Sequence, residues 1–216
     1  GDVLSKRLGS LSLNALRAEG WLPVAIVNYL SRLGHHYADE RLLSLTELAA
    51  QFGVPHLSHS PARLDSAQMR HWQQLALQQL QGEALLTWLG EALKDVPTNK
   101  REAFAALIQP NVLFPSEAAQ WAQDLLGELT YNETAQAVLT DAGKPYFAAA
   151  LATANADWDG EAKSLLDGIK TATGAKGKAL FMPLRVALTG QEHGPEMAGI
   201  VRLMGRDLVV ARLAQV

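Results

Sequence analysis

The spacing of apolar residues constrains the fold of this 216-residue chain more than any other feature. Apolar side chains recur mostly every three or four positions, which places them on one face of a helix with 3.6 residues per turn. The alternation of apolar and polar residues that is typical of strands is scarce. The sequence therefore predicts an all-α fold. The clearest runs are Leu85, Leu86, Leu89 and Leu93; Trp121, Leu125, Leu126 and Leu129; and Ile200, Met204, Leu208 and Leu213.

Two short patterns predict where helices begin. Ser44 is followed three residues later by Glu47, and Thr130 by Glu133. Each pair fits a capping box, in which the two side chains bind backbone N–H groups of the first helical turn. Residues 180–182 (Leu-Phe-Met), just before a proline, form the best candidate for a short strand.

Breaks in the helical pattern suggest three parts. Residues 1–80 are predicted to form a helical connector, residues 81–145 a first helical bundle and residues 146–216 a second bundle. The boundary between the two bundles is the turn-forming stretch 141–145, and a second turn rich in glycine and lysine, at 174–178, lies inside the second bundle.

The composition excludes several classes of site. Hydrophobic residues make up 48% of the chain, which is enough to fill a core without a metal or crosslink. The absence of cysteine excludes disulfides and thiolate metal sites. His56 and His59 are spaced like a metal-binding pair, but zinc needs three or four ligands and no third is evident. The sequence therefore predicts surface histidines and no metal site. No apolar run is long enough to predict a membrane span.

The charge is unevenly distributed along the chain. The net charge of −3 argues against a uniformly basic surface for nucleic acid. Between Lys163 and Arg212, however, eight Lys and Arg residues stand against four Asp and Glu residues. Because RNA binding can depend on a local patch, this region is the predicted basic surface.

A short basic motif lies at the start of the chain. Leu4, Ser5, Lys6 and Arg7 form a run that resembles the signature loop of class I aminoacyl-tRNA synthetases. In that class the loop closes over ATP and its lysine meets the phosphates. The resemblance implies that these four residues belong to an ATP loop, and that a catalytic half is missing ahead of them.

Two longer segments resemble the bacterial glutamyl-tRNA synthetase family. Residues 17–34 (Arg-Ala-Glu-Gly-Trp-Leu-Pro-Val-Ala-Ile-Val-Asn-Tyr-Leu-Ser-Arg-Leu-Gly) are similar to the family pattern R-x-x-G-[YW]-L-P-x-A-[LIV]-x-N-Y-L-x-x-L-G. Residues 183–190 (Pro-Leu-Arg-Val-Ala-Leu-Thr-Gly) are similar to the family segment P-L-R-x-A-L-T-G. The segments occur in the family order.

The resemblance implies a helical stem-contact region followed by an anticodon-binding part in two helical bundles. It implies that this chain binds tRNA at the anticodon arm, and that the full enzyme ligates glutamate to tRNA with ATP and Mg²⁺. The chain alone is expected to be catalytically inactive, to hold no cofactor, and to act in the cytoplasm as a monomer.

Arg185 is the strongest candidate for contact with RNA. Its apolar neighbours Leu184 and Val186 predict that the aliphatic part of the side chain is packed and that the guanidinium has a fixed orientation. A guanidinium held in this way can stack on a base or bind a phosphate. In the family the matching arginine lies at the anticodon. The residues alone leave an alternative open, which is a salt bridge between helices.

The resemblance adds further candidates for tRNA binding. Lys176 and Lys178 precede the Pro-Leu-Arg segment and could meet RNA phosphates, although a solvated turn fits them equally well. Thr189 and Gly194 lie in or just after the same segment. Asn111 stands where many bacterial glutamyl enzymes carry an arginine that helps to read the last anticodon base. This departure predicts a relaxed or altered preference, with glutamine tRNA as a possible ligand.

Four tryptophans are candidate platforms for unstacked bases: Trp72, Trp88, Trp121 and Trp158. The helical spacing of Trp88 and Trp121 with leucines favours core packing for these two.

Two other hypotheses compete with the tRNA-binding one. A helical interaction module that derives from this fold, but no longer binds tRNA, is favoured by the negative net charge and by His71-Trp72-Gln73, where the family usually shows Trp-x-Asn. The retained Leu-Ser-Lys-Arg run argues against that module. A short paralogue that modifies a tRNA base with glutamate is disfavoured, because that paralogue lacks the helical half.

Overall fold

The structure, a computed structural model, describes residues 12–58, 64–156 and 158–216. These ranges contain twelve α-helices and no strand, apart from one isolated β-bridge between His35 and Leu57. The all-α prediction is confirmed. None of the described helices is long and apolar enough to cross a membrane. The ATP-loop candidates Leu4, Ser5, Lys6 and Arg7 lie outside the described residues, as does His59.

The chain divides into two compact units. The first unit contains the chain up to Gly90 and the segment Val112–Glu117, and the second contains Glu91–Asn111 and Ala118–Val216. The predicted boundaries at residues 80 and 145 stay a prediction.

Five helices form the first unit, and α2 packs against both α3 and α4. The core of this unit contains Tyr29 and Trp72 from these helices and Phe114 from the segment Val112–Glu117. Pro23 is the first residue of α2, where a missing N–H costs no helical hydrogen bond. The helices are α1 (Leu13–Glu19), α2 (Pro23–Leu33), α3 (Leu45–Gln51), α4 (Ser66–Gln78) and α5 (Gly82–Leu89).

Gln73, a residue at a departure from the family pattern, is a buried polar hub of the first unit. Its side chain is fully buried and accepts a hydrogen bond from the Leu22 N–H at 3.0 Å. Its amide group donates to the carbonyl oxygens of Gly20 and Leu113 at 3.2 and 3.1 Å. Buried amide groups are almost always hydrogen-bonded. Through these three bonds Gln73 connects α4 to the turn before α2 and to the segment Val112–Glu117.

The capping box predicted at Ser44 and Glu47 is confirmed at the start of α3. The Ser44 N–H donates to the Glu47 carboxylate at 2.8 Å, and the Glu47 N–H donates to the Ser44 hydroxyl at 3.3 Å. The Arg41 guanidinium also binds this carboxylate, at 2.6 Å.

The second unit contains the remaining helices, with α8 packed against α9, α10 and α12. Helix α7 begins in the first unit and continues into the second. The helices are α6 (Arg101–Ile108), α7 (Pro115–Leu126), α8 (Glu133–Ala156), α9 (Ala162–Thr173), α10 (Lys178–Thr189), α11 (Met197–Met204) and α12 (Arg206–Leu213).

Two local predictions in the second unit are wrong. Residues 180–182 form helix, not strand, because Leu180, Leu184 and Leu188 repeat at the helical spacing and are all buried. The capping box at Thr130 is also wrong. The N-terminal cap of α8 is Asn132, whose side-chain oxygen accepts from the Ala135 N–H at 2.8 Å.

Helix α8 is kinked at Gly143. This glycine has φ 73° and ψ 167°, which interrupts the helical backbone, and Pro145 follows it. A proline fits the first turn of the second helical segment, where its missing N–H has no helical acceptor. The kink falls within the predicted break at 141–145.

Candidate nucleic-acid interface

Helix α10 determines where Arg185 lies. The Leu180–Leu184–Leu188 face of α10 is buried, and Arg185 is half-buried beside it. Its Nη1 donates to the carbonyl oxygen of Pro195 at 3.0 Å, and no described carboxylate forms an ion pair with it. Burial lowers the pKa of the Arg185 guanidinium, which stays charged at neutral pH because arginine is not deprotonated in proteins. Arg185 is therefore a positively charged side chain fixed by one hydrogen bond, with its other N–H donors unused by the described residues. Among these residues it does not form the alternative salt bridge between helices.

The loop Gly190–Pro195, called the 190–195 loop below, follows α10 and holds Arg185 through Pro195. Gly190 ends the helix with φ 69°, a left-handed conformation that favours glycine. Thr189 is fully buried, and its hydroxyl accepts from the Gln191 N–H at 3.1 Å and lies 2.8 Å from the Arg185 carbonyl oxygen, to which it donates. The Thr189 hydroxyl therefore stabilises the conformation of the 190–195 loop by these two hydrogen bonds.

The 190–195 loop is fixed to α7 at both ends. The Gln191 amide group donates to the Asp124 carboxylate at 3.2 Å. Gly194 lies against the Trp121 ring so closely that an added Cβ would be 2.2 Å from a ring carbon. Trp121 and Asp124 are three residues apart and therefore lie on one face of α7. Helix α7 therefore fixes the position of the 190–195 loop through these two contacts.

Arg212, in α12, is a buried cation that the sequence analysis missed. It is 2% exposed. Its Nη1 donates to the carbonyl oxygens of Asp124, at 2.5 Å, and Leu188, while Nη2 donates to that of Gly127 at 3.0 Å. Next to it, the Tyr131 hydroxyl donates to the Ala187 carbonyl at 2.9 Å. These bonds join the C-terminal ends of α7 and α10.

Lys176 lies in the exposed turn between α9 and α10, and Lys178 is the exposed first residue of α10. Lys178 also lines a cleft of about 670 Å³ whose walls are mostly apolar. Asp141 supplies the acidic group of this cleft, and Tyr146 lines its wall. Burial raises the pKa of the Tyr146 hydroxyl, which donates to the Leu180 carbonyl and so stays protonated.

Asn111 is exposed at the end of the short 3-10 turn Gln109–Asn111 that follows α6. None of the described hydrogen bonds joins Asn111 to Arg185 or to the 190–195 loop. The structure therefore brings together Arg185, Thr189 and Gly194. Lys178 lies at the opposite end of α10, whereas Asn111 and Lys176 lie on separate elements.

The basic excess counted in the sequence overstates the charge available to RNA. Arg212 is buried, and Arg202 forms a bidentate pair with Glu161 at 3.0 and 2.9 Å. Four of the eight cations are exposed lysines with no ion pair among the described residues: Lys163, Lys170, Lys176 and Lys178. No group of three His, Cys, Asp or Glu side chains in the described ranges could hold a metal ion.

Comparison with protein families identifies the second half of the chain. The family model described as "Anticodon binding domain" matches residues 82–216. The chain belongs to this family. The match contains Arg185, the 190–195 loop and Asn111, so all of the described candidates for tRNA binding lie within the anticodon binding domain.

Relatives of this anticodon binding domain protein extend the similarity to the whole chain. "Glutamate--tRNA ligase 2" of Alkalilimnicola ehrlichii is 44% identical over all of this chain, and a protein of the same name in Nitrosococcus oceani is 43% identical. The chain spans only 46% and 45% of the lengths of these relatives. The solved glutamate-tRNA synthetase of Elizabethkingia anophelis has the same fold, with a TM-score of 0.78, 22% identity, and coverage of 99% of this chain and 44% of that one.

Trp72, Trp88 and Trp121 of this anticodon binding domain protein make contacts within it, and Trp158 is half-buried. Trp72 is 5% exposed, and the Arg32 guanidinium lies 4.2 Å from its ring centroid. Trp88 is half-buried and donates from its indole N–H to the Gly20 carbonyl at 2.8 Å. Trp121 is also half-buried and lies against Gly194, so Trp88 and Trp121 both pack within the protein without being fully buried in its core.

Proposed function

We propose that this chain is the tRNA-binding portion of a glutamate–tRNA ligase and that it recognises the anticodon arm. The match of residues 82–216 to the anticodon binding domain carries this proposal. The names of the full-length relatives supply the substrate class, glutamate and tRNA. In the full protein, ATP and Mg²⁺ would drive the ligation in the cytoplasm, and Leu4–Arg7 would belong to the ATP loop.

Within this function, Arg185 is the residue that binds RNA most directly. Pro195 occupies one donor of the guanidinium, and the remaining donors are available to a base or phosphate. Thr189 and Gly194 act by shaping the 190–195 loop. Lys176, in the exposed turn, and Lys178, at the start of α10, bind phosphates, because an exposed lysine side chain is free to move toward them.

Asn111 contributes to the choice between tRNAs. An arginine would offer a charged fork of donors to a base edge, whereas asparagine is shorter, neutral, and both donates and accepts. We therefore propose a weak preference at the last anticodon base, so that glutamine tRNA binds as well as glutamate tRNA.

The tRNA proposal is tested by binding of glutamate and glutamine tRNA transcripts to the wild-type chain, Arg185→Ala and Asn111→Arg. Arg185→Ala should weaken binding by about 1–3 kcal/mol, and Asn111→Arg should restore a preference for glutamate tRNA. Arg202→Ala is the matched control, because Arg202 is exposed and paired with Glu161.

Absence of tRNA binding by the folded wild-type chain would reject the proposal in favour of the non-binding helical module. An equal, strong preference for glutamate tRNA in wild type and Asn111→Arg would remove Asn111 from the specificity argument. Exchange of pyrophosphate into ATP with glutamate should not exceed the buffer control, because the proposed portion only binds tRNA.

A further inference from the structure

We propose that Arg212 is a positioning residue for tRNA binding, whose buried guanidinium holds the ends of α7 and α10 together and thereby fixes the loop that orients Arg185. Its effect on RNA rests on the proposed function. Its effect on the 190–195 loop does not depend on any ligand, so the two can be tested separately.

The contacts of Arg212 are all made at helix ends. The carbonyl groups of the last helical turn have no donor within the helix and carry partial negative charge. Asp124 lies in the last turn of α7, Gly127 directly follows that helix, and Leu188 lies in the last turn of α10. A single side chain from α12 therefore satisfies acceptors from two other helices.

Packing alone does not account for an arginine at this place. Burial lowers the pKa of Arg212, and the neighbouring groups Tyr131 and Asp124 oppose this in part. A buried cation is commonly less stabilising than an apolar side chain of similar volume. What the guanidinium adds is a planar fork of five N–H donors, which can meet three carbonyls in fixed directions. A lysine ammonium or a methionine cannot reproduce that geometry.

The two helix ends that Arg212 joins also support the 190–195 loop. Asp124 accepts from Arg212 through its backbone oxygen and from Gln191 through its carboxylate. Leu188 directly precedes Thr189, whose hydroxyl accepts from the Gln191 N–H. The same loop ends at Pro195, the acceptor for Arg185. Loss of Arg212 should therefore loosen the loop and leave Arg185 less well oriented.

Arg206 offers a matched control within the same helix. It donates to the carbonyl oxygens of Ala154 and Asn155, at the end of α8, at 3.3 and 3.4 Å. Arg206→Met thus removes the same charge and the same kind of helix-end contact as Arg212→Met, but none of the bonds described for the loop involves it.

The first test measures hydrogen exchange of the backbone amides of residues 191–194 in the full chain. Arg212→Met should speed their exchange about tenfold, since a loop that loses its supports opens locally. Arg206→Met should leave these amides unchanged. If Arg212→Met does not fold, Arg212→Lys, which keeps the charge and loses the fork, replaces it with the same expectation. Unchanged exchange of residues 191–194 in the folded variant overturns the proposal.

The second test measures binding of a hairpin RNA that carries the anticodon stem and loop of glutamate tRNA, at a temperature where each variant is fully folded. Arg212→Met should weaken binding about tenfold beyond the effect of Arg206→Met. In an Arg185→Ala background, Arg212→Met should have little further effect, because the two residues act as one unit.

A purely structural role for Arg212 predicts a different result, namely a lower Tm with an unchanged Kd for the folded protein, or additive effects with Arg185→Ala. Either result overturns the link to RNA. If wild type binds no hairpin, the proposed function fails, and the exchange of residues 191–194 still decides whether Arg212 positions the loop.

Discussion

At the scale of single residues, the candidate site depends on close contacts between residues far apart in sequence. Gly194 and Trp121 are 73 positions apart and yet leave no room for a Cβ between them. The backbone of Gly194, with φ 142°, lies in a region that other residues rarely adopt. Steric fit and backbone conformation therefore both require glycine at this position.

Gly194→Ala should destabilise the protein by about 2 kcal/mol, because overpacking against the Trp121 ring adds to the backbone strain. Urea unfolding measures this change in free energy. Gly174→Ala is the control, since Gly174 has φ 72° with nothing within 4 Å of an added Cβ, and should cost only about 1 kcal/mol. A Gly194→Ala variant that is no less stable than Gly174→Ala contradicts the described contact.

The residue scale is also where prediction from sequence was least complete. The packing of Arg185 beside apolar neighbours followed from Leu184 and Val186. Its bond to Pro195, and the role of Arg212, could not be predicted, because the acceptors are backbone carbonyls. Every residue carries the same carbonyl group, so the pattern of side chains gives no sign of which one is used.

At the scale of helices, boundaries follow from side-chain chemistry only where the capping groups are local. Ser44 and Glu47 cap α3 as their spacing predicts. At α8 the same spacing was misleading, because Asn132 lies closer to the helix start and caps it instead of Thr130. In α10 the three-residue stretch before Pro183 was too short to show the helical period, which becomes evident only when Leu184 and Leu188 are included.

The start of α3 should lose stability in acid. The hydrogen bond from Arg41, followed by those from Ser44, lowers the pKa of the Glu47 carboxyl from 4.5 to about 2. A carboxyl whose pKa is lower in the folded state stabilises that state above its unfolded pKa, and the contribution is lost as pH falls. The loss should therefore occur as the pH drops from 4.5 towards 2.

An NMR titration of the Glu47 side-chain carboxyl measures this pKa directly. In Arg41→Gln the largest cause of the shift is absent, so the midpoint should move up toward 4.5 while the bonds from Ser44 remain. A wild-type midpoint already near 4.5 would show that the Arg41–Ser44–Glu47 contacts are not maintained in solution.

At the scale of the whole molecule, the fold class and the family were predictable because both depend on patterns that extend over many residues. Helical periodicity recurs throughout the chain, and the two family segments lie near its opposite ends. The distribution of charge was less predictable. Counting residues between Lys163 and Arg212 includes Arg212, which is buried, and Arg202, which is paired. Only the folded structure shows that, apart from Arg185 and Arg206, the cations of this region left for RNA, with no ion pair to a described residue, are the four exposed lysines.

The salt dependence of the proposed tRNA binding should therefore come mainly from exposed lysines. Each phosphate contact adds about one unit to the slope of log affinity against log salt concentration. Replacing Lys176 and Lys178 by alanine should reduce this slope by about 2 with no change in Tm, because both side chains are exposed. The double variant Lys163→Ala/Lys170→Ala removes equal charge from α9. An equal reduction in both double variants would mean that the turn before α10 is not a specific phosphate site.

The contact of Trp121 with Gly194 also makes the candidate site observable by ¹⁹F NMR, with no probe attached to the loop itself. The chain contains five tryptophans, so incorporation of 5-fluorotryptophan would give five ¹⁹F resonances. The resonance of Trp121 depends on the groups close to its ring, and Gly194 of the 190–195 loop is one of them. Its chemical shift and line width would report both where the loop lies and how fast it moves, in the free protein and during titration with RNA.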